Sequence, residues 1–326
     1  MKNRKVLNGS LQHIYKTTAD GGVLFYHTID HLVCFTIQSV MARRHNLPVL
    51  CACHMFTHTH ELAAPVDPLH LVSYEHDVNL LHAREWNRES GRTGRLYRGP
   101  FGSAPKRSDK DKRSCVVYIL NNPVEKRLCA RAVEDRWNFL AYYEKEYPFS
   151  ERPVLRYCRW ALRNAMHEVS QECRAGRYLK YALLYRLFSQ LNRTEQEQLT
   201  DYIIQRYFYF DREACYQLFG NGANMVAAAD VSKGKEFDVG ESFDPYSDVP
   251  YREMSQLAAR HGLLGQGKPL LLLPEERREK LSRYLQMNTS ASELQVARFL
   301  HAPSGLVGSR SRAGHTSHTG HVDRDQ

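Results

Sequence analysis

Strand-length apolar runs are confined to the first part of this chain, and beyond Pro148 the apolar stripes recur at helical spacing. Any sheet must therefore be assembled before residue 148. At 326 residues the chain also exceeds the ~100–200 residues of one ordinary domain. The reading is α+β over 1–147, followed by an all-α domain over 148–302. The small polar residues of 303–326 show no pattern and are expected to be disordered.

Within the first part, residues 11–26 (LQHIYKTTADGGVLFY) read as a β-hairpin, two β-rich runs joined by Ala19-Asp20-Gly21-Gly22. From Thr28 the period changes. Ile29, Leu32, Val33, Thr36, Ile37 and Val40 fall at helical spacing, with Arg43 and Arg44 suited to a last turn. Pro48 closes that helix, and VLCACHMF (49–56) is a strand-length run leading into His58-Thr59-His60. After Pro65 and Pro68, Leu71, Tyr74, Val78 and Leu81 mark one face of another helix. Arg84–Arg113 is rich in Arg, Lys and Gly and is expected to be an exposed loop. Near its end Ser108 caps a helix, with Asp109 and Asp111 in the first turn and Cys115–Leu120 as its buried part.

In the second half, helical stripes cover 153–187 and 194–208, then a Gly- and Asp-rich break spans 219–250. Helices are expected again over 251–260, 274–286 and 290–300. The last resembles the first helix of a helix-turn-helix, with Leu294, Ala297 and Leu300 inward and Ala302-Pro303-Ser304-Gly305 as the turn. No recognition helix follows, and a bundle that only packs is the alternative. Arg156, Arg159, Arg163, Arg174 and Arg177 form either a basic face or a solvated side.

With 45 Lys+Arg against 36 Asp+Glu the net charge is +9, which favours a polyanionic partner. The eight cysteines are scattered rather than arranged as a secreted disulfide framework. MKNRKVLNGS has no apolar stretch behind it, and no run approaches the ~18 apolar residues of a membrane span. The expected location is the cytoplasm, with reduced thiols.

Three features carry chemistry. His58 and His60 lie one residue apart, so on a strand they point to one side and can share a metal ion. Two partly exposed histidines near a turn are the plain alternative, and Cys51, Cys53 and His54 just upstream offer a competing zinc site. Strand alternation places His54 opposite the two cysteines. Tyr118 and Asn122, four residues apart, share a helix face. Pro123 disfavours helical geometry at Asn122, so this amide is expected at a frayed end. Finally, Arg88, Arg92, Arg95, Arg98, Lys106, Arg107, Lys112 and Arg113 are interleaved with Trp86, Tyr97 and Phe101. Cations for phosphates with aromatics for bases suit single-stranded DNA, although a solvated loop has the same composition.

Together these motifs resemble the single-tyrosine HUH transposases, and especially the REP-associated tyrosine transposases. The resemblance runs from about residue 8 to 142. It is carried by LQHIYKTTADGGVLFY, HMFTHTHEL, NRESGRTGRLYRGPF and, most specifically, YILNNPVEKRLCARAVEDRWNFLAY. It implies a ferredoxin-like catalytic domain with an antiparallel sheet, and Mg²⁺ or Mn²⁺ held by His58, His60 and Asn122. It also implies Tyr118 as nucleophile, forming a 5′-phosphotyrosine on single-stranded or hairpin DNA. Such an enzyme would cleave and rejoin strands as a monomer or homodimer, nucleoid-associated when bound. Two departures stand out. Thr59 replaces a bulky apolar residue, and Met55-Phe56-Thr57 replaces Met-Pro-Asn. A non-catalytic DNA-binding protein derived from such a transposase, such as a repressor, and a zinc-stabilised structural protein are the other readings.

Overall fold

The computed structural model describes residues 9–99, 101–231 and 247–302. The expected tail at 303–326 lies outside them, as do residues 232–246 of the Gly- and Asp-rich break. Chain order begins with β1 (Leu11–Thr17), α1 (Thr28–Arg44), β2 (Val49–Met55), β3 (His58–Ala63), α2 (Pro68–Ser90), β4 (Gly102–Lys106) and α3 (Asp109–Glu125). The strands form one sheet in the order β2-β3-β1-β4, and every neighbouring pair is antiparallel. The fold is thus α+β.

Register decides which side chains share a face. Tyr15 pairs with His60 and Gly102, His60 pairs with Cys53, and Leu11 pairs with Lys106. Since paired and alternate residues point the same way, His13, Tyr15, His58, His60 and Lys106 stand on one face. Ile14, Lys16, Thr59 and Glu61 stand on the other. That second face is covered by α1 and α2, through His54 Nε2 with Gln38 Oε1 at 2.7 Å, Lys16 with Glu75 at 3.1 Å, and Tyr74 Oη donating to Glu61 at 3.0 Å. Thr59 belongs to this covered side. Its hydroxyl is buried without a hydrogen-bond partner, so the residue bears on core packing rather than on metal binding.

The hairpin expected over 11–26 does not form. Ala19–Gly22 does turn, with Gly21 at a φ of 72° and Gly22 N donating to Asp20 Oδ1. The second run, however, is a buried segment outside the sheet. Leu24 N donates to Phe56 O at 2.7 Å, Trp86 Nε1 to Leu24 O at 3.0 Å, and Val23 N to Arg298 O at 3.2 Å. The hairpin is instead β2–β3, and β1 takes β4 as its second neighbour.

The remaining helices are α4 (Trp160–Arg174), α5 (Tyr181–Phe188), α6 (Arg193–Tyr207), α7 (Arg212–Phe219), α8 (Gly222–Val231), α9 (Val249–Arg260), α10 (Glu275–Asn288) and α11 (Glu293–Phe299). The apolar core runs straight through the expected boundary at 147/148. Leu32, Phe35 and Ile119 share it with Leu162, Leu199, Tyr207 and Met225. Every residue of α1 from Ile29 to Ala42 is buried, because α5 and α6 cover the side away from the sheet. A second apolar cluster gathers Val23–Tyr26, Trp86 and Tyr97 with Tyr251, Leu270, Leu285 and Phe299. In α11, Ala297 and Leu300 are buried as expected, but Leu294 is exposed.

A buried ion pair ties the two clusters together. Asp30 accepts from Tyr26 N at 2.8 Å and Tyr181 Oη at 2.7 Å, and Lys268 Nζ closes on the same carboxylate. The Lys268 ammonium lies over the Tyr26 and Tyr181 rings. Among the described residues, no helix is long and apolar enough to cross a membrane.

Candidate active site

The α3 helix lies across the histidine-bearing face of the sheet. Ser108 opens it with a capping box, accepting from Asp111 N at 3.1 Å while Asp111 Oδ2 accepts from Ser108 N at 3.2 Å. Contrary to expectation, the helix does not fray at Asn122 but runs through Pro123 to Glu125. Packing overrides the local penalty. The sheet lies on one side of α3 and α7 and α8 on the other, with Asn121 Nδ2 donating to Ala229 O at 2.8 Å. Asn122 Nδ2 donates to the Tyr118 carbonyl at 3.0 Å. That leaves the amide oxygen as the atom suited to a hard cation.

Tyr118, half-buried, meets the histidines edge-on. Its ring centroid lies 5.7 Å from that of His60 and 5.8 Å from that of His13. His58 and His60 are 4.9 Å apart with rings nearly perpendicular. The structure therefore brings together three of the residues singled out in sequence and adds His13. Strand alternation from Tyr15 could have found His13, had residues 11–17 been read as a central strand.

The histidines are also oriented. Thr57 Oγ1 lies 3.1 Å from His58 Nδ1, and His13 Nε2 lies 3.1 Å from His60 Nδ1. With each Nδ1 engaged, Nε2 is the nitrogen each ring would offer to a metal. Thr57, one of the departures noted above, thus has a use. His60 is only 1% exposed, and burial pushes its imidazole down to about 3, so the ring is neutral and its lone pair suits a cation. His13 is held well below the ordinary imidazole range, first by burial and then by the nearby His60 and Lys106.

The imidazoles of His58 and His60 with an amide oxygen make a donor set of a kind that fits a divalent ion of Mg²⁺ or Mn²⁺ character. Among the described residues no three His, Cys, Asp or Glu side chains are grouped to hold a metal, so such an ion needs the amide or a substrate oxygen as well. The upstream cluster is engaged elsewhere. Cys51 and Cys53 are core residues whose thiols burial pushes well up, and His54 points to the opposite face against Gln38.

The basic segment is not an exposed loop. Its start continues α2 to Ser90, Gly102–Lys106 is strand β4, and Trp86, Tyr97 and Phe101 are buried. Tyr97 Oη bonds to His82 Nδ1, so it is not open to stack on a base. Lys106, although mostly buried, stands on the histidine face. Arg98 shares a small cavity with Tyr15 and Gly102 beside that face. Arg88, Arg95, Arg107 and Arg113 are exposed, and Lys112 pairs with Asp109 at 2.8 Å. Arg92 is spent on Asp20 and lies over Trp86. Of the arginines in the helical half, Arg159 pairs with Glu195 and Arg177 with Glu172.

No protein-family profile matches this chain, and no curated protein matches its sequence. Among solved structures it is similar to a REP-associated tyrosine transposase bound to a REP hairpin. That likeness has a TM-score of 0.36 and 15% identity, and it covers 42% of this chain and 80% of the other. A likeness of this size assigns no residue a role.

Proposed function

We propose that the chain is a metal-dependent single-stranded DNA endonuclease and strand transferase of the tyrosine transposase kind, with Tyr118 as nucleophile. The observation that supports this most is that Tyr118 meets His60 and His13 of one sheet face, with His58 edge-on to His60. The β-α-β-β-α-β order with sheet order β2-β3-β1-β4 supports a ferredoxin-like core.

His58, His60 and Asn122 would hold the divalent ion, which when bound supplies Lewis-acid polarisation of the scissile phosphate. Tyr118 Oη attacks phosphorus, the P–O3′ bond breaks, the phenol gives up its proton and the departing 3′ oxygen takes one up. The product is a 5′-phosphotyrosine, and attack by a second 3′-OH reverses the step and joins strands without a nucleotide cofactor. Lys106, Arg98 and the exposed Arg95, Arg107 and Arg113 supply positive charge for the strand.

The test uses the full chain, labelled hairpin-flanked single strands, and Mg²⁺ or Mn²⁺. The wild type should cleave only with metal and leave a denaturant-resistant adduct. His58→Ala with His60→Ala should lose cleavage and keep most binding. Unchanged cleavage would reject the metal site, and DNA binding with no cleavage at any metal concentration would favour the non-catalytic reading.

His13 is assigned to positioning. By holding His60 Nδ1 it sets the ring's tautomer and angle, so His13→Ala should weaken Mn²⁺ affinity by about 10–100-fold in a calorimetric titration. His13→Gln, which keeps a polar partner, should recover part of the loss. Wild-type affinity in His13→Ala would remove the assignment.

A further inference from the structure

A cavity of about 470 Å³ opens beside the β2 edge of the sheet, away from Tyr118. Its apolar wall is a column of parallel rings. Phe25 stacks on His31 at 4.4 Å and 11°, and His31 stacks on Trp137 at 4.1 Å and 4°. Trp137 ends this column and is only partly buried, so the stack is terminated by a ring with accessible surface. The lining also carries polar side chains, Asp135 (which accepts from Trp137 N at 2.8 Å), Arg252, Ser255 and Gln256.

Four polar atoms of the lining residues have no hydrogen-bond partner: His31 Nδ1, His54 Nδ1, Ser255 Oγ and His27 Nδ1, the last 3.6 Å from Asp30 Oδ2. An apolar occupant would offer no hydrogen-bond partner to the polar side chains of this lining, at a cost that native interiors avoid. A planar occupant with hydrogen-bonding atoms around its rim satisfies the rings and the polar edge at once. Nucleobases have that form, with a π face that any aromatic platform accepts and an edge of donors and acceptors.

Position agrees with chemistry. Phe56, in the β2–β3 turn, lines the cavity and stands two residues before His58. Resting on the function proposed above, we propose that this cavity takes an unpaired nucleobase of the strand held at the His58–His60 face, stacked on Trp137 and read at its edge by Asp135, Ser255 and Gln256. The Arg252 guanidinium, which donates to Leu128 O at 2.7 Å, adds positive charge suited to the adjoining phosphate. Burial raises the Asp135 carboxyl to about 6, against the opposing pull of the Trp137 and Asn138 amides and of Arg136 and Arg252. Near neutrality that side chain is therefore close to exchanging an acceptor role for a donor one.

The experiment measures binding of the full chain, with Mg²⁺ present, to a single-stranded oligonucleotide, to matched oligonucleotides abasic at successive positions, and to free deoxynucleoside monophosphates. Trp137→Ala should weaken oligonucleotide binding by about tenfold to a hundredfold. The salt dependence should stay unchanged, because stacking releases no counterions. Trp137→Phe should recover much of the loss, and one abasic position should reproduce it in the wild type without adding to Trp137→Ala. Because Trp137 also packs on His31, Ser255→Ala and Asp135→Asn serve as milder variants and should shift base preference.

If the wild type binds the oligonucleotide and Trp137→Ala, Ser255→Ala and Asp135→Asn all match it, the cavity proposal is overturned and the nuclease reading stands. Trp137-dependent binding of monophosphates with Trp137-independent binding of strands would overturn the strand as the source of the base. Failure of the wild type to bind any single strand would remove the functional reading itself.

Discussion

Tyr118→Phe is expected to abolish the covalent protein–DNA adduct while leaving oligonucleotide affinity within about twofold. The substitution removes one oxygen and keeps the ring that packs edge-on against His13 and His60. Thermal stability should therefore hold within a few degrees. The chemistry has no such tolerance. Without a phenolic oxygen no bond to phosphorus forms, and the adduct yield should fall by at least about 10³-fold, as losses of covalent nucleophiles do. Gel analysis of denatured reaction mixtures reads this directly. Tyr15 sharpens the test, since it is a second tyrosine on the same sheet face, with its ring 5.8 Å from that of His13. Tyr15→Phe should keep the adduct. An adduct that survives in Tyr118→Phe and disappears in Tyr15→Phe would move the nucleophile to β1.

The largest stability effect is expected at Lys268. Its ammonium is buried on Asp30, between the Tyr26 and Tyr181 rings. Removing it leaves a carboxylate in the core whose remaining partners are two hydroxyl or amide donors and the nearby His27. Breaking such a pair from one side costs on the order of 3–5 kcal/mol, because the charge left behind has lost its compensation. Lys268→Ala should lower the denaturation midpoint accordingly. The double variant Asp30→Asn with Lys268→Met should be less damaged than the sum of the single changes, since it deletes both charges together. Additive losses in a denaturant titration would show that the two side chains do not act as a pair.

What could be read in advance follows from how local each signal is. The α1 helix, strand β2 and the start of α3 announce themselves through apolar period and through the Ser108 cap, whose determinants lie within one turn. His58, His60 and Tyr118 were legible as types and spacings, but their meeting depends on β3 and α3 packing together. Residues 23–26 look like a strand, being apolar and extended. They are claimed by Trp86, Phe56 and Arg298, contacts that no local window contains. Strand β4 (GSAPK) has little intrinsic strand preference and forms because β1 offers it an edge. Trp86 and Tyr97 look solvent-facing in sequence because their neighbours are charged. The apolar cluster that buries them includes residues 251–300. Pro123 misled for the same reason, since the helix it should have ended is held between a sheet and two later helices.

The seam between residues 20–27 and 298–301 also has a consequence for synthesis. Tyr26 Oη donates to Phe299 O and His301 Nε2 meets Val23 O, across 273 and 278 positions of sequence. At ~5–20 residues per second a ribosome needs roughly fifteen seconds to a minute to deliver those late partners. Throughout that interval Val23, Leu24 and Phe25, all fully enclosed in the finished molecule, lack part of their cover. Until those partners arrive the emerging polypeptide carries a sticky apolar segment at Val23–Phe25, a natural handle for chaperones that guard nascent chains.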